Sequence, residues 1–205
     1  MTIQSDYTVG LGKETTYGTP VTPSRFYSAD STIKESITTV QGLSHRPGQR
    51  VARAAARPIV KRESAGDITM DAMSVGLGFI LGAFFGDVES TPLGATAAQQ
   101  QVHTMRRSDW SDSYTIQQGI PRLGSSVTDA YTYAGAQCSS LDIEAKADAI
   151  VQVKSSWIAR SLGLDRPYAS PSYPANLELY TFVGGQVSLG GGAFTAPTAT
   201  EPATA

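Results

Sequence analysis

The chain has 205 residues, 40% of them hydrophobic and 17% charged, with a formal net charge of −2; it is long enough for one cored domain and carries no global field that would draw it onto nucleic acid or an anionic membrane. A single cysteine, Cys138, and two histidines, His45 and His103, exclude an intrachain disulfide and leave no convincing metal constellation, so no cofactor is expected. MTIQSDYTVG at the start lacks the basic and apolar segments of a signal peptide, and the longest apolar stretch, VGLGFILGAFFG at 75–86, is too short to cross a bilayer.

YTVGLGKE (7–14) reads as a glycine-broken strand, and TTYGTPVTPSR (15–25) as turns punctuated by Gly18, Pro20 and Pro23. GLGK (10–13) glances at a phosphate loop, but Glu14 stands where Ser or Thr belongs, so a strand-end turn is the better reading. RFYSADSTIKESITTV (25–40) alternates roughly in β-branched and aromatic residues, which predicts one strand or a bent pair. STIK (31–34) matches the S-x-x-K of serine acyl enzymes without its companion elements. An enzyme built on Ser31 and Lys34 is a weak rival, and no catalysis is expected.

Residues 42–62, GLSHRPGQRVARAAARPIVKR, hold six cations, Arg46, Arg50, Arg53, Arg57, Lys61 and Arg62, and no acid. The spacing from Arg46 to Lys61 would place five of them along one stripe of a helix. Pro47 and Pro58 bound such a helix, its apolar residues are mostly Ala, and its like charges repel. An extended or partly ordered arm is therefore the expectation for a lone copy. The remainder of the chain carries 10 cations and 18 acids, net −8. From Glu63 to Met105 there are five acids, Glu63, Asp67, Asp71, Asp87 and Glu89, and no Lys or Arg. A basic segment beside an acidic one favours contacts between copies of the chain over a merely solvated loop. The alternative is a nucleic-acid-binding module using 42–62, driven by counterion release. Against it, the segment has no interleaved aromatics and no recognised docking motif.

Alternation in DITMDAM predicts a half-exposed strand with Ile68, Met70 and Ala72 on one face and Asp67, Thr69 and Asp71 on the other. Ser74 stands at an N-cap position and Gly86 at a stop, so 74–86 is expected to be one short helix, buried on most sides. STPLGATAAQQQ (90–101) reads as a loop, and VHTMRR (102–107) and SYTIQQGIP (113–121) as strands. The most regular β region is 130–161, with Leu141 and Ile143 alternating against Asp142 and Glu144 and a hairpin turn through KADA. Residues 168–178 are a Pro-rich loop, 177–183 a strand, and 184–192 a turn and weak strand. AFTAPTATEPATA (193–205) has no core-forming pattern and reads as disordered or as the stub of something longer. The expected organisation is one domain over 1–192 followed by a low-complexity tail.

The GKETTYGTPVTP opening, the basic stretch after the early strands, the G-D-I strand at 66–68 and the Gly-rich apolar helix follow one another in this order. With YTYAGAQCSSLDIEAKADAIVQVKSSWIAR (131–160) they resemble the major tail tube proteins of long-tailed, non-contractile bacteriophages of the siphophage type, particularly those of actinobacterial hosts. The resemblance implies a mainly β fold: a sandwich or barrel with one short flanking helix and a long arm reaching a neighbour. Strands would close into a shared barrel on oligomerisation, which removes exposed edges. It further implies six-copy rings stacked into a hollow tube in the virion tail, assembled in the host cytoplasm. The tube would enclose the tape-measure protein, abut tail terminator and tail-tip proteins, and pass genomic DNA without binding it specifically; no membrane is a partner. Arg46, Arg50, Arg53, Arg57, Lys61 and Arg62 are then subunit-interface candidates. Asp67, Asp71, Asp142 and Glu144 are candidates for an acidic face toward the lumen or an interface. Members of that family usually carry further strands beyond a position like 192, which puts an additional C-terminal domain in question.

Overall fold

In the strand around Ile68 the side chains alternate between an apolar core and water, and this period of two governs most of the chain. The computed structural model describes residues 7–43, 47–48, 51, 54–95, 99–107, 112–175 and 177–181. Eleven strands are present among them: β1 (Thr8–Lys13), β2 (Arg25–Tyr27), β3 (Ala29–Ser31), β4 (Lys34–Thr39), β5 (Ile59–Asp71), β6 (Gly86–Pro92), β7 (Gln99–Met105), β8 (Tyr114–Pro121), β9 (Thr128–Glu144), β10 (Gln152–Ala159) and β11 (Ser161–Gly163). One helix, α1 (Leu77–Phe85), lies between β5 and β6.

Nine strands form one antiparallel sheet in the order β2-β1-β8-β9-β10-β5-β3, with β11 beside β9 and β4 beside β5; β6 and β7 form a separate hairpin. The long strand β9 belongs to both halves of the sheet. Its first part pairs with β8 and β11 and its second with β10, and it turns between them at Gly135 (φ 65°) and at a bulge opposite Ser156 and Trp157. The sheet curls until β8 and the chain before β1 approach β3. Gln118 Nε2 donates to Ser31 Oγ at 2.6 Å, and the Tyr7 hydroxyl donates to Asp30 Oδ1 at 2.6 Å while accepting the Ser31 N–H at 2.7 Å. The concave face holds Leu11, Ile68, Ile80, Ile116, Val153 and Trp157, all essentially sealed from solvent. Phe79 of α1, Tyr114 and Trp157 meet edge to face at centroid separations of 5.5 and 5.8 Å, contacts worth about 0.5–1.5 kcal/mol each beyond their burial.

The predicted inward set Ile68, Met70 and Ala72 is buried, and the KADA turn joins β9 to β10 as expected. Other expectations need correction. Residues 25–40 form three short strands, not one or a bent pair. The segment 90–101 is not a loop throughout, for half of it, 90–92 and 99–101, lies in strands β6 and β7; its Gln, Ser and Thr residues hide strands that are solvated on both faces. Ser74 does not cap α1. The helix starts at Leu77 behind Gly76 (φ 97°), and Ser74 instead pairs with Glu178 through both its backbone N–H and its hydroxyl. No residue of α1 is exposed, in line with a helix covered on most sides, and Ile80, Gly82 and Ala83 are fully enclosed. Gly78 and Gly82 leave room for Gln101 and Val88 of the hairpin to fold over the helix. Of the predicted strand at 177–183, Leu179 and Thr181 bridge to Met73 and Ile150. The predicted turn and weak strand at 184–192 and the 193–205 tail lie outside the described residues.

Candidate assembly surface

Cross-strand register gathers onto one outer sheet face the four acids nominated from two separate segments. Asp71, Gln152 and Glu144 form one row across β5, β10 and β9; Thr69, Lys154 and Asp142 form the next, and Asp67, Ser156 and Ser140 the third. Asp30 joins the second row from β3. Further along β5, Glu63 and Lys61 share this face with Ser36 and Thr38 of β4, and Lys34 stands opposite Ala65. The face thus carries Asp30, Glu63, Asp67, Asp71, Asp142 and Glu144 against Lys34, Lys61 and Lys154, six acids to three cations. Lys154 sits in the middle and reaches Asp67 Oδ2 at 3.0 Å. Hydrogen bonding from the Ser156 hydroxyl at 2.7 Å, and then from Lys154, holds the Asp67 carboxyl below its ordinary pKa. Asp30, Glu63 and Lys154 were not nominated from sequence; their signal was their place in the same alternating strands.

Where the chain is described, the basic segment does not form the helical stripe that its spacing would allow and is mostly extended, as expected for the arm. Ala54–Ala56 make a single 3-10 turn, and β5 is extended from Ile59 onward, because β-branched Ile59 and Val60 after Pro58 favour a strand. Lys61 and Arg62 therefore point to opposite faces. Lys61 pairs with Glu63 at 2.6 Å, Arg62 reaches Glu35 at 3.7 Å, and Arg57 Nε donates to Thr39 Oγ1 at 2.9 Å. Arg57 and Arg62 thus bridge to β4, and Lys61 pairs within β5, in a ribbon made of β4 and the first part of β5 that continues through backbone bonds from Val40 to Pro58 and from Gly42 to Ala56. Arg46, Arg50 and Arg53 lie outside the described residues. The ribbon also carries exposed apolar side chains: Ile37, Val40, Ile59 and Val60, each about half exposed, and Leu43, 96% exposed.

The opposite surface of the sheet, over β1, β8 and the first part of β9, is closed by loops. Here Glu14 was missed. Its buried carboxylate accepts hydrogen bonds from Ser113 Oγ (2.6 Å), Thr115 Oγ1 (2.9 Å), the Gly18 N–H (2.8 Å) and the Gly135 N–H (2.9 Å). The residue that spoils the phosphate-loop pattern is thus the knot that ties β1, β8, β9 and the 15–24 turn together. Ser31 Oγ accepts from Gln118, and Lys34 projects onto the outer face, so the S-x-x-K pair serves the sheet. Among the described residues no group of His, Cys, Asp and Glu has the arrangement of a metal site, and no helix is long and apolar enough to cross a membrane. An open groove of about 920 Å³ runs between α1, the β6–β7 hairpin and β1, but two of the cations along it are already engaged: Lys13 binds Asp112, and Arg106 binds Asp87 and Asp112.

A family model described as phage tail tube protein matches residues 4–201. A chain from the sheath–tube complex of an extracellular contractile injection system (PVC, extended state) is similar at 8% identity, with 77% of this chain and 86% of that chain covered and a TM-score of 0.41. A chain from the 6-fold symmetrised baseplate of the anti-feeding prophage (AFP) is similar at 9% identity, covering 80% and 94% respectively, also with a TM-score of 0.41. No curated protein gives a significant match.

Proposed function

This chain belongs to the phage tail tube protein family, structural proteins of the virion tail without enzymatic activity, and from that premise we propose that it self-assembles into stacked six-copy rings that form the hollow tail tube of a long-tailed, non-contractile phage of the siphophage type. Residues 1–192 are the tube domain and 193–205 an appended tail. The observation that carries the reading is the outer face of β3, β4, β5, β10 and β9: an antiparallel surface with six acids to three cations. Turned toward a channel, such a wall repels phosphate groups, so DNA slides past it without sticking. Asp67, Asp71, Asp142 and Glu144 are assigned to the lumen on this ground. The ribbon, with bare Leu43 and Ile37 and the basic segment at its end, is assigned to contacts with neighbouring copies, Arg46, Arg50, Arg53 and Arg57 among them. The tape-measure protein occupies the channel during assembly in the host cytoplasm, and the tail terminator and tip proteins close the two ends.

Nothing in the described geometry favours the nucleic-acid-binding alternative, since Arg57, Lys61 and Arg62 are engaged by Thr39, Glu63 and Glu35. Negative-stain microscopy of concentrated protein tests the proposal. Rings and tubes with six-fold averages are expected; a protein that stays monomeric at every concentration and salt would end the reading.

A further inference from the structure

Residues 177–181 run as an extended stretch past the ends of β5 and β10. The Ser74 N–H donates to the Glu178 carbonyl and the Glu178 N–H to Ser74 Oγ, while the Tyr180 N–H donates to the Ala72 carbonyl and the Tyr180 carbonyl accepts the Val151 N–H. Leu179 and Thr181 stand opposite Met73 and Ile150. Backbone groups alternate in direction along a strand, so Glu178 and Tyr180 turn theirs toward the sheet and Leu179 and Thr181 turn theirs away. Among the described residues nothing receives the N–H and C=O of Leu179 and Thr181, and 178–181 are exposed. This is an open strand edge, a template for another segment of chain.

We propose that residues 186–190 of the same chain close this edge: Gly184 and Gly185 reverse the chain, and 186–190 pair antiparallel with 179–183. The inference goes beyond the tube reading and does not rest on it. A Gly-Gly pair suits a two-residue reversal in which both central residues take positive φ, the type preferred between adjacent strands. Such a turn is closed by a bond from the carbonyl of the residue before it to the N–H of the residue after it, here Val183 and Gln186. Val183 must therefore turn its backbone away from the sheet. The alternation set by Glu178 and Tyr180 assigns it that direction, together with Leu179 and Thr181.

The register that follows is chemically consistent. Leu189 stands opposite Tyr180 and Val187 opposite Phe182 on one face, and Ser188 stands opposite Thr181 on the other. Aromatic side chains meet aliphatic ones and hydroxyl meets hydroxyl, pairings that stabilise neighbouring strands. A slip of one residue would carry Val187 and Leu189 to the face of Thr181. Only two residues separate the paired stretches, so the segment of the same copy reaches the edge ahead of a segment from another copy. The segment thus acts as an edge guard: it keeps lone copies from joining through a bare strand at this end of the sheet.

Amide hydrogen exchange resolved by NMR, below the concentration at which the chain assembles, tests the pairing. The Leu179 and Thr181 N–H groups should exchange about tenfold or more slower than in an unstructured chain. Gly184→Val with Gly185→Val puts β-branched residues where positive φ is required, and should speed exchange at both. The Tyr180 N–H, bonded to Ala72, should stay protected in that variant and so report an intact fold. Independently, Thr181→Cys with Ser188→Cys, with Cα atoms about 5.5 Å apart in this register, should form a disulfide within one copy on mild oxidation. Thr181→Cys with Val187→Cys, on opposite faces, should not. Fast exchange at Leu179 and Thr181 in the wild type would overturn the proposal. So would equal yields from the two cysteine pairs, no 181–188 disulfide at all, or one found only between copies, which would give the edge to another chain.

Discussion

Replacing Glu14 tests whether one buried carboxylate holds the loop-covered side of the sheet. Glu14 is 6% exposed, and no described Lys or Arg forms an ion pair with it; four donors neutralise it instead. Glu14→Ala strands the Gly18 and Gly135 N–H groups, which cannot turn away, while the Ser113 and Thr115 hydroxyls can reorient. A buried donor left without its acceptor costs about 1–3 kcal/mol, so the expected loss is about 3–5 kcal/mol of a total of about 5–15. Glu14→Gln keeps the shape but sets an NH2 group against two donors, one of them a backbone N–H, and should cost about 2–3 kcal/mol. Urea unfolding followed by tryptophan fluorescence, below the assembly concentration, measures both. With a slope of about 2 kcal/mol/M the alanine variant should unfold near 2 M less urea. A glutamine variant within about 0.5 kcal/mol of wild type at an unchanged slope would refute the claim that these donors depend on a carboxylate.

Gly66→Ala should destabilise by about 2 kcal/mol or more, since a Cβ there would lie 2.5 Å from Ile33 Cα and 2.6 Å from its backbone nitrogen; an unshifted thermal midpoint would contradict this close approach. Cys138 is buried and its thiol is pushed up to about 12, chiefly by burial, so a disulfide reagent at pH 8 should label it slowly in the native chain and at once in guanidinium; rapid native labelling would show that the strand opens. Because the folded Asp67 carboxyl is depressed, its stabilising effect is present above the ordinary aspartate pKa and lost as pH falls through the folded value. Asp67→Asn should therefore flatten the acid side of the stability curve, by at most about 0.5 kcal/mol given its exposure, and an unchanged curve between pH 5 and 2 would count against the Ser156 and Lys154 contacts. Changing Arg50, Arg53 and Arg57 together to Glu should leave the subunit folded and block tube growth; normal tubes from that variant would remove the arm from assembly.

The strands that alternate against a one-sided core were legible because burial there repeats every second residue, as in DITMD and QVKSSWIA. Their pairing was not, and pairing is what turned four scattered acids into one surface. α1 was located but misbounded, since a glycine, not a serine, precedes it, and its two glycines serve the hairpin packed over it. Glu14 was unreadable for a different reason: Ser113, Thr115 and Gly135 lie about a hundred residues away, and only the sheet brings them to it. Gly66 did leave a signal, because a glycine inside an otherwise alternating strand marks a place where another backbone comes close.

The basic segment divides by position along the ribbon. Near its root, Arg57, Lys61 and Arg62 have partners inside the same copy: Arg57 and Arg62 reach across to Thr39 and Glu35 of β4, and Lys61 pairs with Glu63 of its own strand. The root is also where apolar Ile37 and Val60 stand bare on the inner side. Charge and apolar surface are therefore layered: polar contacts of Arg57 and Arg62 tie the ribbon's two strands to each other, and the exposed isoleucine and valine supply surface that gains only when another copy covers it. Assembly of this design should respond weakly to salt where another copy covers Ile37 and Val60, and more strongly through the arginines farther out. Salt titration of the wild type against the Arg50, Arg53 and Arg57 variant separates the two, because screening acts on exposed charges and leaves buried apolar contacts in place.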